Sequence, residues 1–197
     1  MKQAAVRPTL IERLWPSEGA AAMRTIVLVV LGTALLTASA KVQVPMWPVP
    51  MTMQSFVVLV IGMAYGARLA AATVALYLIE GAFGLPVFAG TPEKGVGLAY
   101  MVGPTGGYLL GFLVAAAAMG WLAERGWDRS LPRAMFAMAI GTVLLFAPGV
   151  AWLVVLFGAE KAVAVGVVPF ILGSVVKLGL AAAVLPLAWK AVETRRI

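Results

Sequence analysis

Apolar residues run along this chain in long blocks, with polar and charged residues gathered between them rather than alternating within them. The blocks cover about residues 23 to 44, 52 to 65, 69 to 85, 104 to 123, 134 to 157 and 162 to 189. A helix crosses the hydrocarbon core of a bilayer in about 20 residues. Five blocks reach or approach that length; the second, at 14 residues, is short and requires tilt or burial among the others. The pattern predicts an all-α membrane protein of six transmembrane helices. Residues 1–22 form a mixed-charge leader, 23–190 the membrane domain, and 191–197 a short tail.

Composition supports the same class. Hydrophobic residues make up 62% of the 197 and charged residues 12%, where a soluble domain carries about 25% charged residues. Placement of charge then fixes an orientation. With six spans and the N-terminus cytoplasmic, the inner side holds eleven cations: Lys2, Arg7, Arg13, Arg24, Arg68, Arg125, Arg129, Arg133, Lys190, Arg195 and Arg196. The outer side holds only Lys41, Lys94 and Lys161, and Lys177 is left within the membrane. This bias is what the positive-inside rule requires, and it predicts both termini cytoplasmic. The net charge of +7 is therefore a matter of topology and does not call for a nucleic-acid partner.

Two connections on the predicted outer side stand out. VPMWPVPMT, residues 44–52, sets three prolines around Trp47 and predicts a stiff extended cap with an interfacial aromatic. LPVFAGTPEKGVGLAYMVGP, residues 85–104, is long, Gly/Pro-rich and greasy, which suits a lid or re-entrant segment, or a loop dipping into the headgroups.

The available chemistry is narrow. Without cysteine or histidine there is no thiolate or imidazole metal site and no Cys/His or Ser/His catalysis. The lone aspartate, Asp128, falls in the basic inner loop ERGWDRSLPR, so an intramembrane aspartyl pair is impossible. Ser174 and Lys177 share a helix face and leave a Ser/Lys dyad formally open, with no oxyanion feature beside it. No GxxxxGK[ST] run occurs, so this chain has no P-loop for ATP hydrolysis. What remains is a small substrate-binding membrane subunit, with no cofactor or metal of its own.

Polar groups at membrane depth are few: Thr52, Gln54 and Ser55 opening the second span, Tyr77 and Glu80 on one face of the third, and Ser174 with Lys177 in the last. An ammonium near the bilayer centre costs about 2.5–3.5 kcal/mol on insertion scales, so Lys177 needs a counterpart. It could ion-pair with Glu80, meet an anionic ligand, or snorkel. Ala34 with Ala38, and Ala71 with Ala75, give the first and third spans smooth strips for partner docking or internal packing.

Four runs together resemble the BioY family of biotin transporters: VPMWPVPMTMQSF (44–56), LYLIEGAFGLPVFAG (76–90), GPTGGYLLGF (103–112) and ILGSVVKLGLAA (171–182). These are substrate-binding S components of energy-coupling-factor transporters. The resemblance covers about residues 25 to 190. It implies a six-helix S-component bundle with a biotin site near the outer face, closed by the loops after the first and third helices. It also implies a transmembrane coupling subunit and two ATP-binding subunits as partners, with ATP used only by the latter; homo-oligomers stay open. The expected location is the cytoplasmic membrane of a prokaryote.

Biotin has an apolar bicycle, a ureido group and a carboxylate. Tyr77, Trp47, Phe88 and Tyr100 are candidate walls, Gln54 and Thr52 candidate polar partners, and Lys177 or Lys94 the candidate cation. The chain departs from the family pattern at GSVVK, where an acid is expected in place of Ser174. Glu80 is the candidate substitute for that acid. An S component for another vitamin, or an assembly subunit without substrate, are the alternatives.

Overall fold

A helix that is apolar on nearly every face must bury one side on its neighbours and leave the other to lipid. The computed structural model of this chain, which describes residues 7–16, 21–90 and 96–194, is built of such helices. In chain order they are α1 (Leu10–Leu14), α2 (Ala21–Lys41), α3 (Gln54–Tyr65), α4 (Ala67–Ala82), α5 (Leu98–Met101), α6 (Gly106–Ala123), α7 (Leu131–Phe157), α8 (Ala159–Gly166) and α9 (Ile171–Thr194). A 3₁₀ turn, Val168–Phe170, joins α8 to α9.

Among the described residues, four segments are long and apolar enough to cross a membrane: Ala21–Lys41, Gly106–Ala123, Leu131–Phe157 and Ala159–Thr194. The protein is thus a multi-pass helical membrane protein. The short second block is the 12-residue α3, and α4 has 16 residues. They are joined by Gly66 alone, at φ 83°, a conformation that a side chain would strain. The last apolar block is not one continuous helix, as the sequence pattern suggests. Pro169 lacks the N–H that a continuous ladder needs, and the chain breaks into α8, the 3₁₀ turn and α9.

Helix α6 is the axis of the bundle and packs on α3, α4 and α7. Glycines let it come close. A Cβ on Gly111 would stand 2.2 Å from the Leu145 carbonyl oxygen, and one on Gly107 2.4 Å from that of Pro148. Small residues at such crossings give backbone-to-backbone van der Waals contact, the main attraction between helices in lipid.

The proline-rich connection after α2 is a hairpin rather than an extended cap. Strand β1 (Gln43–Val44) pairs antiparallel with β2 (Met51–Thr52), Gln43 facing Thr52 and Val44 facing Met51. The hairpin closes on itself because residues 45–50 hold three prolines that can donate no backbone hydrogen bond, leaving the ladder to the flanks.

At the other end of the bundle, the basic loop between α6 and α7 turns inward. Asp128 is fully buried and accepts the Trp189 indole N–H at 2.5 Å, while the Arg129 guanidinium lies 4.2 Å over the Trp189 ring. Burial pushes the Asp128 carboxyl above its ordinary value, against the Trp189 bond and the nearby arginines 129 and 7, which pull it down.

Replacing Gly111 by Val should lower the thermal unfolding midpoint of the detergent-purified chain, by the ~1–3 kcal/mol of an overpacked contact. Gly179→Ala, at a helical site with nothing within 4 Å of the new Cβ, should leave the midpoint unchanged or slightly raised. Asp128 should give a pH signature. Its contribution to stability is fully present below the ordinary carboxylate pKa of 3.8 and is lost as pH rises through its raised value. Asp128→Asn should remove that part of the slope in melts taken across this range.

Candidate functional site

Lys177, in the second turn of α9, points at the start of α3. Its ammonium donates to the Thr52 carbonyl oxygen at 2.5 Å and the Ser55 hydroxyl oxygen at 3.2 Å. Helix α9 can approach the hairpin because residue 173 is glycine: a Cβ there would lie 2.6 Å from the Met51 sulfur. The cation is therefore met by neutral oxygens at the β2–α3 junction, and Glu80 is not among its partners. Glu80 is half-buried on α4, and of the three alternatives open to Lys177 the ion pair with Glu80 is not formed.

Beside Lys177 lies a cavity between the hairpin, α6, α7 and α9. Its polar lining comes from Thr52, Gln54, Ser55, Thr105, Ser174 and Lys177. Its apolar walls are Val49 and Pro50 of the hairpin, Ala89, Tyr108 and Phe112 of α6, Leu145 and Phe146 of α7, and Phe170. Tyr108, Phe146 and Phe170 form an aromatic group with ring centroids 5.6–6.4 Å apart. The Tyr108 hydroxyl donates to the Gly166 carbonyl oxygen at 2.8 Å, fixing the ring at the break between α8 and α9. Four sequence candidates, Lys177, Ser174, Gln54 and Thr52, meet at this one cavity.

The aromatic candidates are placed elsewhere. Tyr77, Phe88 and Tyr100 stack into one column, Phe88 edge-on to Tyr77 at 5.5 Å and face-on to Tyr100 at 5.1 Å. The far end of the Phe88 ring meets α4 where residue 81 is glycine, and a Cβ there would collide with it. The column belongs behind the cavity and does not line it. Trp47 is exposed at the hairpin tip, against Phe157 at 6.2 Å and Lys161 at 5.6 Å. Lys94 lies outside the described residues. Ala34 and Ala38 are exposed on α2, whereas Ala71 and Ala75 are half-buried on α4.

The column is nevertheless tied to the cavity through Gln54. Its side-chain amide nitrogen donates to the Tyr77 hydroxyl at 2.5 Å, and that hydroxyl donates to the Val87 carbonyl oxygen at 2.9 Å. Thr52 completes the chain, its hydroxyl donating to the Gln54 amide oxygen at 3.3 Å. From α2, the Lys41 ammonium donates to the Phe88 carbonyl oxygen at 2.7 Å. Residues 87–89 are buried by these contacts, so this part of the greasy connection packs down onto the bundle.

Sequence reasoning did not single out Tyr108, Phe146 and Phe170, which line this cavity. Phe146 and Phe170 stand in apolar blocks with nothing to separate a cavity-facing aromatic from a lipid-facing one. Tyr108 carried a usable signal: a tyrosine inside a glycine-dense run, where close helix approach needs its hydroxyl bonded.

The BioY family model matches residues 11–194. Among curated relatives, the Thermotoga maritima protein named biotin transporter BioY is 37% identical over 175 residues, 88% of this chain and 100% of its own length. A probable biotin transporter BioY from Pyrococcus horikoshii is 38% identical over 154 residues, 78% of this chain and 89% of its own. Among solved structures, the S-component for biotin from an ECF-type ABC transporter superposes with a TM-score of 0.74 at 21% identity, covering 87% of this chain and 94% of that one.

Tyr77→Phe removes the donor to Val87 and the acceptor for Gln54 together. It should cost ~1–3 kcal/mol, because the two buried partners are left unpaired. Hydrogen exchange should speed up at residues 87–89 and not at the α6–α7 contact.

Proposed function

The chain belongs to the BioY family, and on that premise we propose that it binds biotin in the cavity beside Lys177 and mediates its uptake across the membrane. In this reading it is a binding subunit, not an enzyme. The supporting observation is that Lys177 presents an ammonium to an aromatic-walled cavity with only neutral oxygens as partners. An ammonium has three N–H donors. Two go to Thr52 and Ser55, and the third is available for a carboxylate oxygen of the ligand.

The remaining chemistry suits the rest of biotin. A ligand site of this kind is mostly apolar with a few placed polar groups. Tyr108, Phe146 and Phe170 offer faces for the bicycle, and the Ser174 and Thr105 hydroxyls can accept ureido N–H groups. Serine at residue 174 removes a negative charge from beside Lys177, which leaves that cation to the ligand's carboxylate.

The wider reading follows the family. The bundle has six spans, α3 and α4 counting as short ones beside the four long segments, with both termini on the cytoplasmic side of a prokaryotic inner membrane. The charge bias of the loops supports that orientation. The cavity then opens outward, and the chain works with a transmembrane coupling subunit and two ATP-binding subunits that supply the energy. The exposed Ala34–Ala38 strip on α2 offers a helix of such a partner a close approach.

Equilibrium binding of labelled biotin to the purified chain tests the proposal, and no binding at micromolar ligand overturns it. Lys177→Met should weaken affinity about tenfold to hundredfold, the worth of one charge-assisted hydrogen bond. Glu80→Gln should change it less than about twofold.

A further inference from the structure

At the bundle end opposite the hairpin there is a second cavity, a cleft between α1, α2, the α3–α4 junction and the end of α6. Its charged lining is Arg7, Arg24 and Arg68 with Glu12 and Glu124. Both acids are already engaged by backbone: Glu12 accepts the Thr9 N–H at 2.8 Å, and Glu124 accepts the Ala67 N–H at 2.9 Å. Arg24 is different. Its Nε and one terminal nitrogen are buried yet have no hydrogen-bond partner among the described residues, and the neighbouring buried Thr9 hydroxyl has none either. Unpaired guanidinium donors in a buried position are costly, and a planar fork of this kind matches two oxygens of a phosphate.

The depth of the cleft points to the source of that phosphate. Arg24 is in the first turn of α2, immediately before its apolar stretch. Leu14 and Trp15 at the end of α1, and Trp121 at the end of α6, are exposed around the same end, with the Arg125 guanidinium 3.4 Å over the Trp121 ring. Exposed tryptophans capped by arginine mark the headgroup layer. We propose that the Arg7–Arg24–Arg68 cleft binds the phosphate of an anionic phospholipid headgroup. Arg24 is the inner ligand and the exposed Arg68 guards the mouth. Basic pockets between transmembrane helices hold headgroups by this chemistry.

Thermal unfolding of the full chain in uncharged detergent tests it, with phosphatidylglycerol, phosphatidylcholine or inorganic phosphate added. Phosphatidylglycerol should raise the midpoint by at least about 5 °C at saturation, and phosphatidylcholine should not. Arg24→Gln and Arg68→Gln should lose that shift. Arg13→Gln, an exposed α1 arginine that does not line the cleft, should keep it. If Arg24→Gln does not fold, Arg68→Gln decides. Equal shifts from the two lipids, or a full shift retained in Arg68→Gln, would overturn the proposal. A full shift from inorganic phosphate alone would overturn the headgroup assignment in favour of a soluble phosphate ligand.

Discussion

An ammonium carried into hydrocarbon has to find oxygen atoms, and the arrangement around Lys177 is the answer this chain has to that constraint. The partners are the last carbonyl of the hairpin and a hydroxyl one residue into α3. Three features must coincide for this. The hairpin must fold back so that β2 ends beside α9, residue 173 must lack a side chain so that Met51 fits against the helix, and α3 must start at Gln54. A backbone carbonyl is a strong acceptor and stabilises a buried cation without neutralising it. The lysine is thus held in place while its charge remains available to the cavity.

The same junction couples the cavity to the connection after α4. Gln54 bonds to Tyr77, Tyr77 to Val87, and Lys41 to the next residue's carbonyl. Because the Gln54, Tyr77 and Val87 groups are buried, displacing one leaves another unsatisfied, and such networks move together rather than piecemeal. Residues 87–89 and the Phe88–Tyr100 stack therefore respond to whatever the Thr52–Gln54 turn does. The aromatic column acts as a support for that turn, a different task from forming a wall.

The two ends of the bundle use charge in different ways. At the hairpin end, the inward-facing cation is coordinated by neutral oxygens. At the other end, arginines surround a cleft, and the buried Asp128 is satisfied on one oxygen by Trp189, close to Arg129. That carboxylate ties the end of α9 to the loop after α6, so the helix carrying Lys177 is fixed near both of its ends.

What the sequence determined by itself was everything that follows from local pattern. The first five apolar blocks gave their helices to within a few residues, loop cations gave a bias between the two sides, and Lys177 stood out by its cost in lipid. Four residues that line the cavity, Thr52, Gln54, Ser174 and Lys177, stood out because polar groups at membrane depth are rare. Tertiary structure decided which of them meet. The Lys177 partner is 125 residues away in the chain, and neither period nor composition carries contacts at that separation. It also decided that Phe88 lies on Gly81 while Phe146 and Phe170 line the cavity, since all three are simply apolar in the sequence. Asp128, in a stretch that reads as a solvated basic loop, is buried for the same reason: only the folded chain brings Trp189 to it.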